Sequence, residues 1–129
     1  MAEPSKTPVN VLVLRVFAPL LLVVGALGFV MPESVALTSG AAPYNLFHLV
    51  FGAVGVGCVL SKRLNAVRAF NIGFGLVDLY QAIASFADLW PKAAFQWKTA
   101  DDFLHVVIGL GLVVVGVMTD RALSVPRKA

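Results

Sequence analysis

Two histidines carry most of the chemical potential of this chain. An imidazole can ligate a metal, exchange a proton or hold a hydrogen bond across a helix interface. Both histidines occur in the same setting, Asn45-x-x-His48-x-x-x-Gly52 and Asp102-x-x-His105-x-x-x-Gly109, and no other histidine is present. Each motif opens a long apolar run, which predicts two rings at matching depth near one end of membrane-spanning helices. One chemistry is axial ligation, by His48 and His105, of a flat macrocycle such as haem or a chlorophyll-type pigment, with the glycine one turn away leaving room for it. The other is structural. Asn45 and Asp102 would cap their own helices and hold the rings, which would order the bundle end by hydrogen bonds. A bare zinc site, with Asp101 or Asp102 as a third ligand, has weaker support, because no cysteine stands nearby and no His-x-x-x-His pair exists.

Asp78 is the second notable group. It lies about 8 residues from the outer end of its apolar segment, hence on the order of 12 Å deep at the helical rise. A carboxylate near the centre of a membrane helix costs about 2.5–3.5 kcal/mol on insertion scales, and such residues mark functional sites by default. Proton relay is one role. A protonated acid bonded to a neighbouring helix, or one partnered by a snorkelling Arg15, is the structural alternative. Asn71, Gly75, Asp78, Ala82 and Ser85 form a small and polar stripe at helical spacing, flanked by Gln81.

The elements that position these groups follow from composition. Of the 129 residues, 59% are hydrophobic and 13% charged, against about 25% charged in soluble domains. One soluble core of this size could not hide that much apolar surface. The expectation is therefore an all-α membrane protein, a single membrane domain over residues 1–129. Four transmembrane helices are expected at about residues 9–31, 44–60, 66–86 and 102–118. Each approaches the roughly 17–25 residues needed to span hydrocarbon, the second and fourth narrowly. Continuous rather than alternating apolar runs argue against a barrel. The first run is long for a signal peptide, so it is expected as a retained helix.

Lys6, the Lys62-Arg63 connection with Arg68, and Arg121, Arg127 and Lys128 alternate with a first connection that has no Lys or Arg. The positive-inside rule then places both termini in the cytoplasm and both histidines toward the outer face. Trp90, Phe95 and Trp97 suit an outer aromatic belt. Arg15 and Arg68 suit cytoplasmic interfacial anchors. Cys58 is the only cysteine and cannot form an internal disulfide. The net charge of +3, without basic patches, P-loop or zinc-finger patterns, gives no sign of nucleic-acid binding.

The repeated motif divides the chain into two hairpins, about residues 9–60 and 66–119, related by a pseudo-two-fold axis along the membrane normal and packed as one four-helix bundle. Gly52 and Gly55, Gly109 and Gly116, and Gly75 mark the faces where helices approach closely. The run Gly25-Ala26-Leu27-Gly28-Phe29-Val30-Met31-Pro32, together with both histidine motifs, resembles a family of small bacterial four-helix membrane proteins of unknown function. The likeness covers about residues 13–119. It implies a bacterial inner-membrane location and no substrate.

No nucleophile–base pair or phosphate loop is visible, so an enzyme is not expected. The primary expectation is a structural or accessory membrane protein that packs against lipid, against itself, or in a larger, energy-transducing complex. A haem- or chlorin-binding protein is the alternative, and a proton-coupled transporter centred on Asp78 the more distant one.

Overall fold

The computed structural model describes residues 6–120, which include five helices and no strand. They are α1 (Val9–Val30), α2 (Ala42–Leu60), α3 (Leu64–Ala87), the short α4 (Lys92–Phe95) and α5 (Thr99–Met118). Three of them, α1, α2 and α5, are long and apolar enough to cross a membrane. The segment that falls short in apolarity is α3, not the shorter α2 and α5 that length alone made marginal. Arg121, Arg127 and Lys128 lie outside the described residues.

The helix limits have local causes. α2 starts earlier than its apolar run because Pro43 sits in its first turn, where a missing N–H is harmless. α5 starts at Thr99 because the Asp101 carboxylate accepts the Lys98 N–H at 2.8 Å and so caps the helix. α3 ends at Asp88, whose left-handed backbone (φ 56°) closes the last turn. Pro19 lies inside α1 without interrupting it. α4 is too short to leave a periodic signal in the sequence.

Helix packing runs through small residues. α1 packs mainly on α2, and α3 on α5. A Cβ on Gly25 would sit 2.7 Å from the Asn45 carbonyl oxygen, and one on Gly52 would sit 2.8 Å from Leu22. A Cβ on Gly55 would meet Ala18 and Leu14. Higher numbers on α2 thus face lower numbers on α1, which makes the pair antiparallel. The other pair behaves alike. Cβ atoms on Gly75 and Gly109 would each lie 2.9 Å from the other residue's carbonyl oxygen, and one on Gly116 would collide with Ile72. α3 lies beside α1, with the Phe17 and Phe74 rings edge-to-face at 5.5 Å. α2 and α5 come from different hairpins and meet where the Tyr44 hydroxyl reaches Asp101.

The core beneath these contacts holds Leu14, Ala18, Leu21, Val67, Phe70, Phe74 and Leu112. Large apolar side chains also cover the outside, among them Val16, Leu20, Val50, Leu76, Ile83, Val107 and Val114. Such a surface suits hydrocarbon and far exceeds the apolar patches of soluble monomers.

Candidate functional site

The end of the bundle where α1 and α3 finish and α2 and α5 begin contains a cavity of about 300 Å³. Each of the four long helices lines it. α2 contributes Tyr44 and His48, α3 contributes Phe74 and Asp78, and α5 contributes Asp101 and His105. α1 closes it with Phe17, Leu20, Leu21 and Val24. Both motif histidines and the deep carboxylate, which the sequence kept as separate features, therefore share one space. His48 is 7% exposed, His105 5% and Asp78 3%.

His48 is fixed by its own helix. Its Nδ1 lies 2.8 Å from the Tyr44 carbonyl oxygen, one turn earlier. A carbonyl only accepts, so Nδ1 carries the proton and Nε2 is left as a lone-pair acceptor. The Tyr44 ring lies against the imidazole at 4.1 Å between centroids. His105 is held differently. Its ring meets the edge of Trp97 at 5.9 Å, and its Nδ1 is buried with no partner among the described residues. The Asp78 carboxyl likewise has no hydrogen-bond partner among them, and it backs onto Gly109, where a Cβ would lie 3.1 Å from the Cβ of Asp78.

Asp101 organises the floor of this end. One carboxylate oxygen accepts the Tyr44 hydroxyl at 2.6 Å. The other accepts the N–H groups of Ser39 and Lys98, both at 2.8 Å. These bonds tie the start of α5 to α2 and to the connection after α1. The Ser39 hydroxyl adds a bond to the Phe95 carbonyl at 2.6 Å, and Lys98 Nζ one to the Ala36 carbonyl at 2.9 Å. The loops over the site are thus fastened to each other.

Several sequence expectations change here. Asn45 and Asp102 do not cap their helices or hold the rings. The Asn45 amide lies over Gly28 and donates to the Gly40 carbonyl at 3.0 Å. Asp102 is half-buried with one oxygen unpartnered among the described residues. The cap is Asp101, one residue earlier, and a backbone carbonyl holds His48. Arg15 is exposed and makes no bond to Asp78, while Arg68 donates from Nε to the Gly116 carbonyl at 3.1 Å. The belt tryptophans separate. Trp90 is 81% exposed, whereas Trp97 is 9% exposed and packs with Tyr44 and Ala84. Gln81 is buried on α3 with both amide atoms unpartnered among the described residues. Tyr44, Ser39 and Trp97 were missed as site residues. The only prior signal was the place of Tyr44 one turn before His48.

The opposite end of the bundle holds a second polar cluster. Asp120 accepts the N–H groups of Val9 and Asn10 at 3.1 and 2.8 Å and so caps α1 from a distance. The Asn10 side chain donates to Asp120, to the Thr119 hydroxyl and, more weakly, to the Thr119 and Val115 carbonyls. Asn71 donates to the Asn10 side-chain oxygen at 3.0 Å and to its carbonyl at 3.2 Å. The Thr119 hydroxyl donates to the Val115 carbonyl. Burial pulls the Asp120 pKa up, but the hydrogen bonds from Asn10 and Val9 outweigh it and hold the carboxyl below its usual range. Nothing in this cluster lines the cavity.

Among the described residues no three His, Cys, Asp or Glu side chains are grouped as a metal site. No known protein family, curated protein or solved structure matches the chain.

Proposed function

We propose that this chain is a small accessory protein of a bacterial inner membrane, crossing the bilayer four times and holding a lipid-soluble ligand between two related hairpins. The observation that carries this reading is the convergence of His48, Asp78 and His105, from three helices, on one largely apolar cavity, where His105 Nδ1 is buried without a partner among the described residues and His48 bonds only a carbonyl of its own helix. Buried polar groups are normally hydrogen-bonded, and exceptions call for an explanation. A ligand that completes these bonds is the simplest one.

The fourth span is α3. Its polar residues Asn71, Asp78, Gln81 and Ser85 are all buried against the bundle, while Leu76, Tyr80, Ile83 and Phe86 face outward. Average apolarity undervalues such a helix, because lipid meets only its outer face. The duplication also extends beyond the motifs. Tyr44 and Asp101 stand 57 positions apart, as do the two histidines. The same shift carries the buried residues of α1, Asn10, Leu14, Ala18, Leu21 and Gly25, onto Val67, Asn71, Gly75, Asp78 and Ala82, and each of those is buried in α3. In this alignment Arg15 and Arg68 do not correspond, so the symmetry rests on the packing faces. Under the positive-inside rule the basic connection after α2 and the Lys6 end of the chain favour a cytoplasmic place for this side and the outer leaflet for the cavity, against Lys92 and Lys98 at the cavity end.

A macrocycle bridging both histidines is less well supported. Metal-ligating histidines donate their second ring N–H to a partner. His48 does so, but His105 Nδ1 has no such partner. The cavity is also at the small end of ligand pockets, about 300–1,000 Å³. Transport centred on Asp78 would require a path to both faces, and the cavity lining stops at Phe17, Phe74 and Ile108.

The test is purification in mild detergent followed by absorption spectroscopy and mass spectrometry of an organic extract. A small apolar molecule retained by the native protein, and lost when His48 and His105 are both replaced by Ala, is the expected result. A Soret band abolished by the same change moves the assignment to haem. A colourless protein that retains nothing leaves only a packing role.

A further inference from the structure

We infer that the ligand is a quinol, a flat ring with two opposed hydroxyls and an apolar tail, that reaches the cavity sideways from the bilayer between α1 and α5. This rests on the ligand-binding reading above and specifies its chemistry.

Three observations lead there. The first is charge. The cavity lining contains no Lys or Arg, and its two ionisable acids are Asp78 and Asp101. A fatty acid or a phosphate would meet carboxylates and find no cation, so the ligand is not an anion. The second is hydrogen-bonding sense. The proton on His48 Nδ1 leaves Nε2 as an acceptor, and the Asp78 carboxyl offers acceptor oxygens. These acceptors stand on α2 and α3, helices of different hairpins. A ring with hydroxyls at opposite ends would address both at once. Phe17 and Phe74, edge-to-face at 5.5 Å, supply aromatic walls for that ring.

The third observation is access. Leu20 and Leu104 line the cavity and are also exposed on the outside of α1 and α5. α1 and α5 touch little, whereas each packs tightly on its own hairpin partner. The cavity therefore opens through an apolar seam. Toward the bundle end the loops are fastened over it by Asp101, Ser39 and Lys98. A ligand already dissolved in lipid meets the seam directly. Leu21 occupies the position on α1 that Asp78 occupies on α3 under the repeat, so one half supplies an apolar wall where the other supplies an acceptor.

The experiment uses the full chain in mild detergent with Trp90→Phe, which leaves Trp97, the residue against His105, as the sole tryptophan, excited selectively above the tyrosine absorption. Decylubiquinol, decylubiquinone and decylbenzene are titrated by Trp97 emission and by competition. The expected order is quinol tighter than quinone by about tenfold, the equivalent of one hydrogen bond of about 1.4 kcal/mol, with decylbenzene weakest. His48→Phe and Asp78→Leu remove the acceptors and should each weaken quinol binding about tenfold or more relative to decylbenzene, which controls for the space the larger side chains take. Leu104→Phe, which fills the seam at an exposed position without adding a tryptophan, should block all three probes, with circular dichroism checking that each variant is folded. Decylbenzene binding as tightly as the quinol, and blocked by Leu104→Phe, would overturn the quinol while leaving a ligand cavity. Equal quinol affinity in native, His48→Phe and Asp78→Leu protein would overturn the acceptor assignment. If no probe saturates and the organic extract is empty, the ligand-binding reading fails as well.

Discussion

The two ends of this bundle both bury polar side chains among apolar helices, yet the outcome differs. At one end Asn10, Asn71, Thr119 and Asp120 bond to each other and to backbone, and of their buried side-chain atoms only Asn71 Oδ1 lacks a partner among the described residues. At the other end His48 bonds only a carbonyl of its own helix, His105 Nδ1 has no partner among the described residues, and both share a cavity with Asp78 on a floor that Asp101 holds fully bonded. The first cluster is a clasp that joins the start of α1 to the end of α5 and to α3. The second borders a cavity. Polarity inside an apolar bundle does not by itself indicate function. What separates the two is that the first directs its donors and acceptors at each other and at backbone, whereas the second faces a cavity.

The contrast can be broken most severely at Asp101. Asp101→Ala leaves the Tyr44 hydroxyl and two N–H groups without an acceptor. Thermal unfolding in detergent should show a loss of about 3 kcal/mol, since bonds to charged groups are worth about 1.5–3 each and are not additive. A loss below about 1 kcal/mol would mean that the loops do not depend on this carboxylate.

Asn10→Leu should cost about 2 kcal/mol by removing the centre of the clasp, with ligand retention unchanged. Loss of ligand in a folded Asn10→Leu protein would contradict the independence of the two ends. Asp78→Leu should show the reverse pattern. The residue has no internal bond to lose, and insertion scales make a buried acid unfavourable. Stability should therefore hold or rise by about 1 kcal/mol while ligand is lost. A marked destabilisation would place Asp78 with the structural groups.

The smallest expected effect is a pH response of the clasp. The folded-state pKa of Asp120 is depressed, so its contribution is present above the unfolded carboxyl value, about 3.9, and disappears as pH falls through the lower folded value. Wild-type protein should therefore lose more stability than Asp120→Asn between about pH 5 and pH 2. Parallel pH profiles for the two proteins would remove Asp120 from the clasp.

Much of this arrangement was legible in the chain. Residue type and spacing alone marked His48, His105 and Asp78, because imidazoles and carboxylates are rare in apolar runs and their functional use there is common. Apolar length located every long helix to within a few residues. What could not be read depended on partners distant in sequence. Asp101 and Asp102 are adjacent and chemically identical, so nothing local says that Asp101 takes the cap and the Tyr44 hydroxyl. Trp90 and Trp97 occupy the same connection, but only the turn of α4 directs one outward and the other onto His105. Asn10 and Asp120 flank opposite ends of the polypeptide and look like ordinary boundary residues until the bundle brings them together.

Apolar content and periodicity alone therefore determined a helical chain suited to lipid, with a repeated motif at one end of each second helix. Those properties are sums over local residues, and solvent preference acts on them directly. The tertiary structure decided that three separately visible polar groups share one cavity, that α3 hides its polar face, and which acid is bonded and which is free. Those outcomes depend on helix rotation and close glycine contacts between segments far apart in sequence, where a turn of one residue exchanges a buried face for an exposed one.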